Sequence, residues 1–230
     1  MLSIIIPTYN EENVLKDNIL SILKAAGKNG ESELIIVEES TDKTAEIASQ
    51  LAGEHPEIRH IHSDVRLGKG GGIEVGVKEA RGEKIVFMDV DLSTDLSSLP
   101  ELVSSLDSFD VVVGSRFHPR SRVKRLLHRK ILSYCLAKLV SILFGFPVSD
   151  TQCGFKGFRR DAIRDVIPHI KEKGWFWDVE MLYYASRLGY TLSSVPVVWE
   201  EKRKASYSLV PNILYHTKNI IRLLTQPKTK

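Results

Sequence analysis

Two patterns of apolar residues alternate along this chain. Short apolar runs over residues 2–7, 33–37, 84–88 and 110–113, rich in Ile and Val, end in polar or turn-forming residues, and Ile58 to His62 reads as a further strand. Runs of that length read as strands buried on both faces of a parallel sheet. Between them, residues 14–26, 43–52 and 98–106 carry apolar positions at helical spacing, and a further helix runs from the glycines at 68–72 to Ala80. This alternation predicts an α/β fold, a mostly parallel central sheet with helices on both faces. Beyond Ser115 the pattern changes. A basic segment leads into an apolar helix that runs to Phe146, and residues 150–158 read as loop then strand. Helices over 161–167 and 178–187, a final strand over 192–199 and an amphipathic tail helix over 211–224 complete the pattern. One compact domain over 1–230 is expected.

Composition narrows the class. At 230 residues and 43% hydrophobic content the chain has ample material for one core, and 27% charged is ordinary for a soluble protein. The net charge of +3 is too small to argue for nucleic acid, and no such partner is expected. Its distribution says more. Residues 111–149 contain no Asp or Glu but hold Arg116, Arg120, Arg122, Lys124, Arg125, Arg129, Lys130 and Lys138. Cys135 and Cys153 form neither a disulfide framework nor a zinc site, which points to a reducing compartment. The opening residues lack the basic start of a secretory signal and are too short for one. The longest apolar stretch, 131–148, includes Ser133, Lys138 and Ser141 and is marginal against the ~20 residues needed to span a bilayer. A core helix, or one lying on a membrane surface, is expected there.

Ligands of open α/β sheets lie beyond the carboxyl ends of the strands. The run at 84–88 ends in Asp89-Val90-Asp91, two carboxylates one residue apart. Such a pair can share one hard divalent cation, completed by water and substrate phosphates. In isolation it more often caps a strand and a helix. Gly68, Gly70, Gly71 and Gly72 open a helix and can turn backbone N–H groups toward phosphate, with Lys69 as counter-charge. Their spacing matches neither a dinucleotide fingerprint nor a Walker loop, so alone they read as a tight turn. Pro7, Tyr9, Asn10 and Glu11 after the first strand, Glu38 and Glu39 after the second, the glycine turn after the third and the two aspartates after the fourth converge on one sheet edge. That set suits a nucleotide diphosphate with its metal. Asp42 is expected to cap its helix rather than touch ligand.

In the basic segment Arg116 follows a strand end, and Arg129 and Ser133 lie one turn apart on a common helix face. Two arginines and a hydroxyl make a receiver for a phosphate monoester. The apolar helix beyond offers a greasy surface beside it, the polarity of a polyprenyl phosphate. A solvated basic face touching anionic lipid explains the same charges, and both readings can hold. Trp175, Phe176 and Trp177 read as core or membrane-edge packing rather than a sugar platform.

Taken as an ordered series, several motifs carry a family likeness. They are Ile6-Pro7-Thr8-Tyr9-Asn10-Glu11-Glu12, Arg66-Leu67-Gly68-Lys69-Gly70, Met88-Asp89-Val90-Asp91-Leu92-Ser93, Gly114-Ser115-Arg116, Asp150-Thr151-Gln152-Cys153-Gly154-Phe155-Lys156 and Trp177-Asp178-Val179-Glu180-Met181-Leu182. The series resembles the inverting nucleotide-sugar glycosyltransferases of family 2, which have the GT-A fold. More narrowly it is similar to the dolichyl-phosphate mannose and dolichyl-phosphate glucose synthases, over residues 2 to about 224.

The resemblance implies a nucleotide-sugar-binding half over 1–115, an acceptor-binding half over 116–210 and a tail helix over 211–230. Pro7, Tyr9 and Glu11 would line the base and ribose pocket, with Glu38 and Val90 also on the donor side and Lys69 near the ribose or phosphates. Asp89 and Asp91 would hold Mn²⁺ or Mg²⁺ on the diphosphate, and Ser93 stands where the family often has a further metal ligand. The acceptor phosphate would fall to Arg116, Arg129 and Ser133, with Gln152 beside it and a later basic residue, Lys202 or Arg203. Asp150, Asp178 and Glu180 would contact the sugar or order the acceptor loop. Two departures stand out: Glu38-Glu39-Ser40 replaces the family's two aspartates and glycine, one residue shorter, and Ser93 replaces the commoner Gln.

The implied activity is metal-dependent, inverting transfer of a hexose to dolichyl or another polyprenyl phosphate, with Asp89, Asp91, Arg116 and Arg129 carrying the catalysis. The donor leans to GDP-mannose, with UDP-glucose as the alternative. A phosphate acceptor is already anionic, so little general-base help is needed. Such an enzyme is expected at the cytoplasmic face of a membrane, held peripherally by the apolar helix and the tail, with room for a separate membrane-embedded partner. Two other readings stay open: a family 2 transferase acting on a sugar hydroxyl, where a carboxylate must serve as base, and a non-catalytic nucleotide-sugar-binding scaffold.

Overall fold

The computed structural model describes residues 1–202 and 209–226, without the side chains of residues 128, 129, 132 and 209–213. Its main strands are β1 (Leu2–Thr8), β2 (Ser32–Glu38), β3 (Ile58–His62), β4 (Lys84–Met88), β5 (Val111–Ser115), β7 (Phe155–Arg159) and β8 (Leu192–Pro196). They form one sheet in the order β3-β2-β1-β4-β7-β5-β8. The short β6 (Arg122–Lys124) and β9 (Val198–Glu200) pair in parallel as a separate ribbon.

Alternation along each strand divides the core in two. Ile4 and Ile6 of β1, with Val86 and Met88 of β4, face α1 (Leu15–Gly27), α2 (Thr44–Glu54) and α4 (Leu99–Ser105). Ile5 and Phe87 point the other way, toward α3 (Gly68–Glu79), α6 (Arg160–Val166) and α7 (Trp177–Arg187). Because side chains alternate with period two, a one-residue slip would send each set to the wrong layer, so register is strongly specified. The glycines of α3 serve packing. A Cβ on Gly76 would lie 2.4 Å from Ile5, and one on Gly70 would lie 2.3 Å from the Trp177 ring. Only a bare backbone lets α3 come this close to β1 and α7.

All the pairings of β1, β2, β3 and β4 with one another are parallel, as is that of β5 with β8, but β7 runs antiparallel between β4 and β5. Its amino end therefore lies at the same edge as the carboxyl ends of its neighbours. The pair Met88↔Phe155 sets Gly154 directly beside Asp89, whose amide donates to the Gly154 carbonyl at 3.0 Å.

The single strand expected over 192–199 is broken. β8 ends at Pro196, which offers no N–H to a ladder. The chain resumes as β9, whose partner β6 lies in the basic segment that periodicity left unassigned. Glu200 N bonds Ser93 O at 2.9 Å and Asp95 N bonds Val198 O at 2.8 Å, so β9 also pins the loop that follows the two aspartates.

Two helices complete the chain. α5 (Leu127–Phe144) buries Ala137, Val140 and Ser141 but leaves Leu127, Ile131, Leu139 and Ile142 exposed, each by more than half. α8 (Leu209–Leu224) docks through Asn219, Ile220 and Leu223 and turns Leu214, Ile221 and Leu224 to solvent. Its anchor is Arg222, which grips the fully buried Glu180 carboxylate at 2.8 and 2.9 Å. Glu180 also accepts from the Lys171 and Glu172 amides, so this carboxylate, for which the resemblance implied a sugar contact or the ordering of the acceptor loop, anchors the tail and the backbone at 171–172. No helix among the described residues is long and apolar enough to cross a membrane.

Candidate active site

A cavity of about 460 Å³ opens at this sheet edge, and Asp89, Asp91 and Ser93 line it. Asp89 stays where it is because Gly154 has no side chain: a Cβ there would lie 1.8 Å from Asp89 Oδ2. Asp91 Oδ1 accepts the Ser93 amide at 2.9 Å, closing a tight turn. Between them Leu92 has a φ of 51°, a conformation uncommon for a branched residue. The turn aims both carboxylates at one space. Among the described residues no three His, Cys, Asp or Glu form a self-sufficient metal cage. Two carboxylates at an open wall are instead the donor set for Mg²⁺ or Mn²⁺, which keep water and substrate phosphate as their other ligands. The residues fit such a cation.

Beside the aspartates lies a chain of buried charges. Lys69 Nζ is 2.9 Å from Asp89 and 3.7 Å from Asp178, and Lys156 Nζ is 2.5 Å from the other oxygen of Asp178. Burial opposes the charge on Lys69, but Asp89 and Asp178 outweigh it and raise the ammonium above its ordinary pKa. Lys156 is fully buried and also donates to the Cys153 carbonyl at 2.6 Å. Asp178 therefore bridges two lysines. Burial pushes the Cys153 thiol up to about 11, which keeps it neutral.

The glycine turn does not present its amides to a phosphate. Leu67 N and Gly68 N donate to the Glu39 carboxylate, and Gly70 N and Gly71 N donate to the Lys173 carbonyl. Glu39 thus fills the helix terminus that an external anion could have used, in keeping with a tight turn there, and it also pairs with Arg66 at 3.0 Å. The Arg66 guanidinium stacks 3.3 Å over the Tyr9 ring. Pro7, Tyr9, Glu11 and Glu38 all border the cavity, but the Glu38 carboxylate is fully buried. It takes His60 at 3.0 Å, His62 at 2.5 Å and the Ser40 amide at 2.8 Å. Burial works against its charge, yet these bonds hold its pKa below the usual range. Val90 borders the cavity while its side chain packs in the core, and its carbonyl accepts from Asn18. Asp42 accepts the Thr44 amide at 2.9 Å, the expected capping contact.

On the acceptor side Arg116 lines the cavity but is not unpartnered. Its Nε and Nη2 hold the fully buried Asp150 at 2.8 and 2.9 Å, and its own amide holds the same carboxylate. Burial opposes the charges of both groups. Their mutual attraction prevails, raising Arg116 and lowering Asp150. The Arg125 Nη1 donates to the Ser133 hydroxyl at 2.8 Å. The Arg129 side chain and all of Arg203 lie outside the described residues. Gln152 and Lys202 border the cavity, and the Gln152 amide lies 3.4 Å from His216 Nε2.

Phe176 and Trp177 are core, as expected, whereas Trp175 is 57% exposed at the cavity wall, with Lys69 Nζ 5.4 Å from its ring. Arg125, Trp199 and Glu201 also line the cavity and were not anticipated as site residues. The signal for them was the pairing of β6 with β9, which a local pattern does not carry.

Comparison with known proteins agrees with this geometry. The chain is 37% identical over 226 residues to glycosyltransferase AglD of Haloferax volcanii, covering 96% of this chain and 36% of that protein. It is 34% identical over 213 residues to the dolichyl-phosphate beta-glucosyltransferase ALG5A of Trichomonas vaginalis, covering 87% of this chain and 66% of that one. It thus spans about a third of the first relative and two thirds of the second. Neither is named for mannose, so the lean toward GDP-mannose has no support here.

In fold it resembles mannosyltransferase PcManGT from Pyrobaculum calidifontis, solved with GDP-Man and Mn²⁺. That match has a TM-score of 0.69 at 21% identity and covers 100% of this chain and 65% of that one. It also resembles glucosyl-3-phosphoglycerate synthase from Mycobacterium tuberculosis, solved with Mn²⁺, UDP and phosphoglyceric acid. There the TM-score is 0.67 at 18% identity, over 97% of this chain and 77% of the other. The fold is GT-A. The model of glycosyl transferase family 2 matches residues 3–167, and the chain belongs to that family.

Proposed function

We propose that this chain transfers a glucosyl residue, with inversion, from UDP-glucose to a polyprenyl phosphate of the dolichyl type. The observation that carries the reading is the single cavity wall on which Asp89, Asp91, Lys69, Arg116 and Arg125 meet. Two carboxylates for a cation stand beside cations for two phosphate groups. The similarity to dolichyl-phosphate beta-glucosyltransferases supports the sugar and the acceptor.

Asp89 and Asp91 would hold Mn²⁺ or Mg²⁺ against the donor's diphosphate, with Ser93 at the same turn. Bound there, the cation supplies positive charge where the departing diphosphate gains negative charge. Lys69, kept charged by two carboxylates, adds to that field. An oxygen of the acceptor phosphate forms the new bond to the anomeric carbon from the face opposite the diphosphate. The bond from that carbon to the β-phosphate oxygen breaks, and the electron pair leaves with the nucleoside diphosphate. The attacking oxygen is already anionic near neutral pH, so no side chain must take a proton from it. Arg116, fixed by Asp150, contributes positioning rather than mobility.

The exposed apolar residues of α5 and the acid-free charge around them suit a lipid surface bearing anionic headgroups. On this reading the chain meets its acceptor in the plane of the membrane. The test is a screen of UDP-glucose and GDP-mannose with Mn²⁺ against a short-chain polyprenyl phosphate, with the lipid product read by mass spectrometry. A hexosyl-lipid from UDP-glucose, lost in Asp91→Ala, is expected. Product from GDP-mannose alone, or transfer only to a sugar hydroxyl, would overturn the reading.

A further inference from the structure

Residues 171–176 form no helix or strand, and side chains rather than a ladder hold their backbone. The Lys171 and Glu172 amides donate to Glu180, and those of Lys173 and Gly174 donate to the Glu172 carboxylate at 3.1 and 2.8 Å. The Phe176 amide donates to the Tyr215 hydroxyl at 3.3 Å. Both carboxylates are tied to α8. Arg222 grips Glu180, and the Tyr215 hydroxyl donates to Glu172. Burial and that bond push the Tyr215 phenol up to about 12, so it keeps its proton.

On its other side the segment meets the first turn of α3. The Lys173 carbonyl accepts the Gly70 and Gly71 amides at 2.8 and 3.3 Å, and the Lys173 ammonium pairs with Glu74. Neither contact has slack. A Cβ on Gly68 would lie 2.6 Å from the Lys173 carbonyl oxygen, and one on Gly174 would lie 3.0 Å from the Tyr215 hydroxyl. Lys69 stands in that same turn, with Nζ 2.9 Å from Asp89 at the cavity wall. Tyr215 lies outside the cavity lining, yet a continuous path joins it to this cation: hydroxyl, Glu172 carboxylate, Lys173 peptide, α3 turn.

We propose that Tyr215 is a positioning residue for Lys69, and that α8 through it governs how tightly the site holds the diphosphate of a nucleotide. This rests on the assignment of Lys69 to that diphosphate under the proposed function. An ammonium on a four-carbon stem is flexible, so its worth at a phosphate depends on where the stem is rooted. Without the hydroxyl, Glu172 loses its phenol donor and the amide of the fully buried Phe176 loses its acceptor. A buried donor left unpaired is costly, so the segment shifts to satisfy it and the α3 turn shifts with it.

The experiment is nucleotide binding by titration calorimetry at saturating Mn²⁺, with UDP and GDP as probes and no acceptor. Tyr215→Phe, Lys69→Met, the two combined and Tyr184→Phe are compared with wild type, with circular dichroism confirming that each is folded. Tyr184→Phe is the matched control, since its hydroxyl donates to Gln226 at 2.6 Å, just beyond the other end of α8. Tyr215→Phe is expected to weaken UDP binding roughly fivefold and Lys69→Met roughly tenfold. Because both act on one path, the double variant should match Lys69→Met to within about twofold. Tyr184→Phe should lower the melting temperature and leave affinity unchanged, as would Tyr215→Phe if its hydroxyl served stability alone. Unchanged nucleotide binding in Tyr215→Phe, equal losses in the two tyrosine variants, or fully additive losses in the double variant overturn the proposal. If Lys69→Met does not fold, the comparison of the two tyrosine variants decides by itself. The expected pattern with GDP and no binding of UDP would count against the proposed donor and leave the role of Tyr215 standing.

Discussion

Gly154→Ala tests the two-aspartate site more directly than removal of either carboxylate. β7 lies antiparallel beside β4, and its register brings Gly154 against Asp89. An added Cβ would lie 1.8 Å from Asp89 Oδ2 and 2.4 Å from its Cγ, where ordinary contact begins at 3.4 Å. The carboxylate must then withdraw by about 1.6 Å, or the strands must part. Either movement takes Asp89 off Lys69, now at 2.9 Å, and off any cation shared with Asp91. A displacement near 1 Å in a reacting constellation costs roughly a hundredfold in rate. Disturbing the support of a metal ligand costs on the order of tenfold or more in affinity. Gly154→Ala should therefore lower glycosyl transfer about a hundredfold and raise the Mn²⁺ concentration for half-activity about tenfold. Gly157→Ala, three residues along the same strand, is the contrast. Its Cβ would meet the Leu102 and Leu106 side chains at 2.6 and 3.0 Å, away from the cavity. It should cost about 1–3 kcal/mol in overpacking while activity survives. Initial rates across a Mn²⁺ series, run beside urea unfolding, separate the two effects. A folded Gly154→Ala protein with wild-type rate and wild-type Mn²⁺ dependence would refute the role given to Asp89.

Three further outcomes follow from other contacts. Arg222→Ala leaves the buried Glu180 carboxylate with only the Lys171 and Glu172 amides, and should cost about 3 kcal/mol in urea unfolding, since an uncompensated buried charge is expensive. Hydrogen bonding to Glu38 raises the pKa of His62 above 6.5, so that contribution to stability is full below 6.5 and is lost as pH rises through the raised value. Glu38 is shifted the other way, so its share is present above 4.5 and is lost as pH falls through its lowered value. His62→Gln should flatten the alkaline slope of the urea midpoint, and an unchanged slope would exclude the pair as its source. Leu139→Ser combined with Ile142→Ser, both on the exposed face of α5, should reduce flotation with anionic liposomes without lowering the melting temperature. Undiminished flotation would remove α5 from the membrane contact.

What local pattern predicts and what it misses divide along a physical line. Residues 84–88 are the bounds of β4, because a strand buried on both faces is apolar through its middle and stops where its carboxyl end meets solvent, and residues 58–62 are the bounds of β3, an edge strand that keeps Arg59, His60 and His62. The two aspartates were legible for the same reason, standing at such an end. The direction of β7 was not, since a five-residue strand looks alike run either way, and with it went the contact between Gly154 and Asp89. Nor was charge pairing. Arg116 and Asp150 are separated by 34 residues, and no spacing rule tells which of several arginines is already neutralised. The glycines at 68–72 were misleading because two demands produce the same letters. A phosphate turn needs bare amides, and close packing against Pro7, Lys173 and Trp177 needs absent side chains, and here the second explains them.

The charges themselves show how such a cavity stays folded before any ligand arrives. Unpaired, Lys69, Arg116, Arg125 and Lys156 would repel one another across a poorly solvated wall. Each instead carries a carboxylate, and the carboxylates fall into two kinds. Asp150 and Asp178 are buried, so their removal would strand a charge, and they act as fixed struts. Asp89 and Glu201 face the cavity, at 41% and 17% side-chain exposure, and water compensates their charge when they let go. Exchange is therefore confined to the second kind. On the proposed reading a divalent cation joins Asp89 and Asp91 while the diphosphate and the acceptor phosphate bring negative charge to the same wall, so positive and negative charge arrive together. A site that must take in a diphosphate, a metal and a second phosphate in one turnover needs this division, because struts that exchanged would unfold it and exchangeable pairs that were struts would close it to ligand.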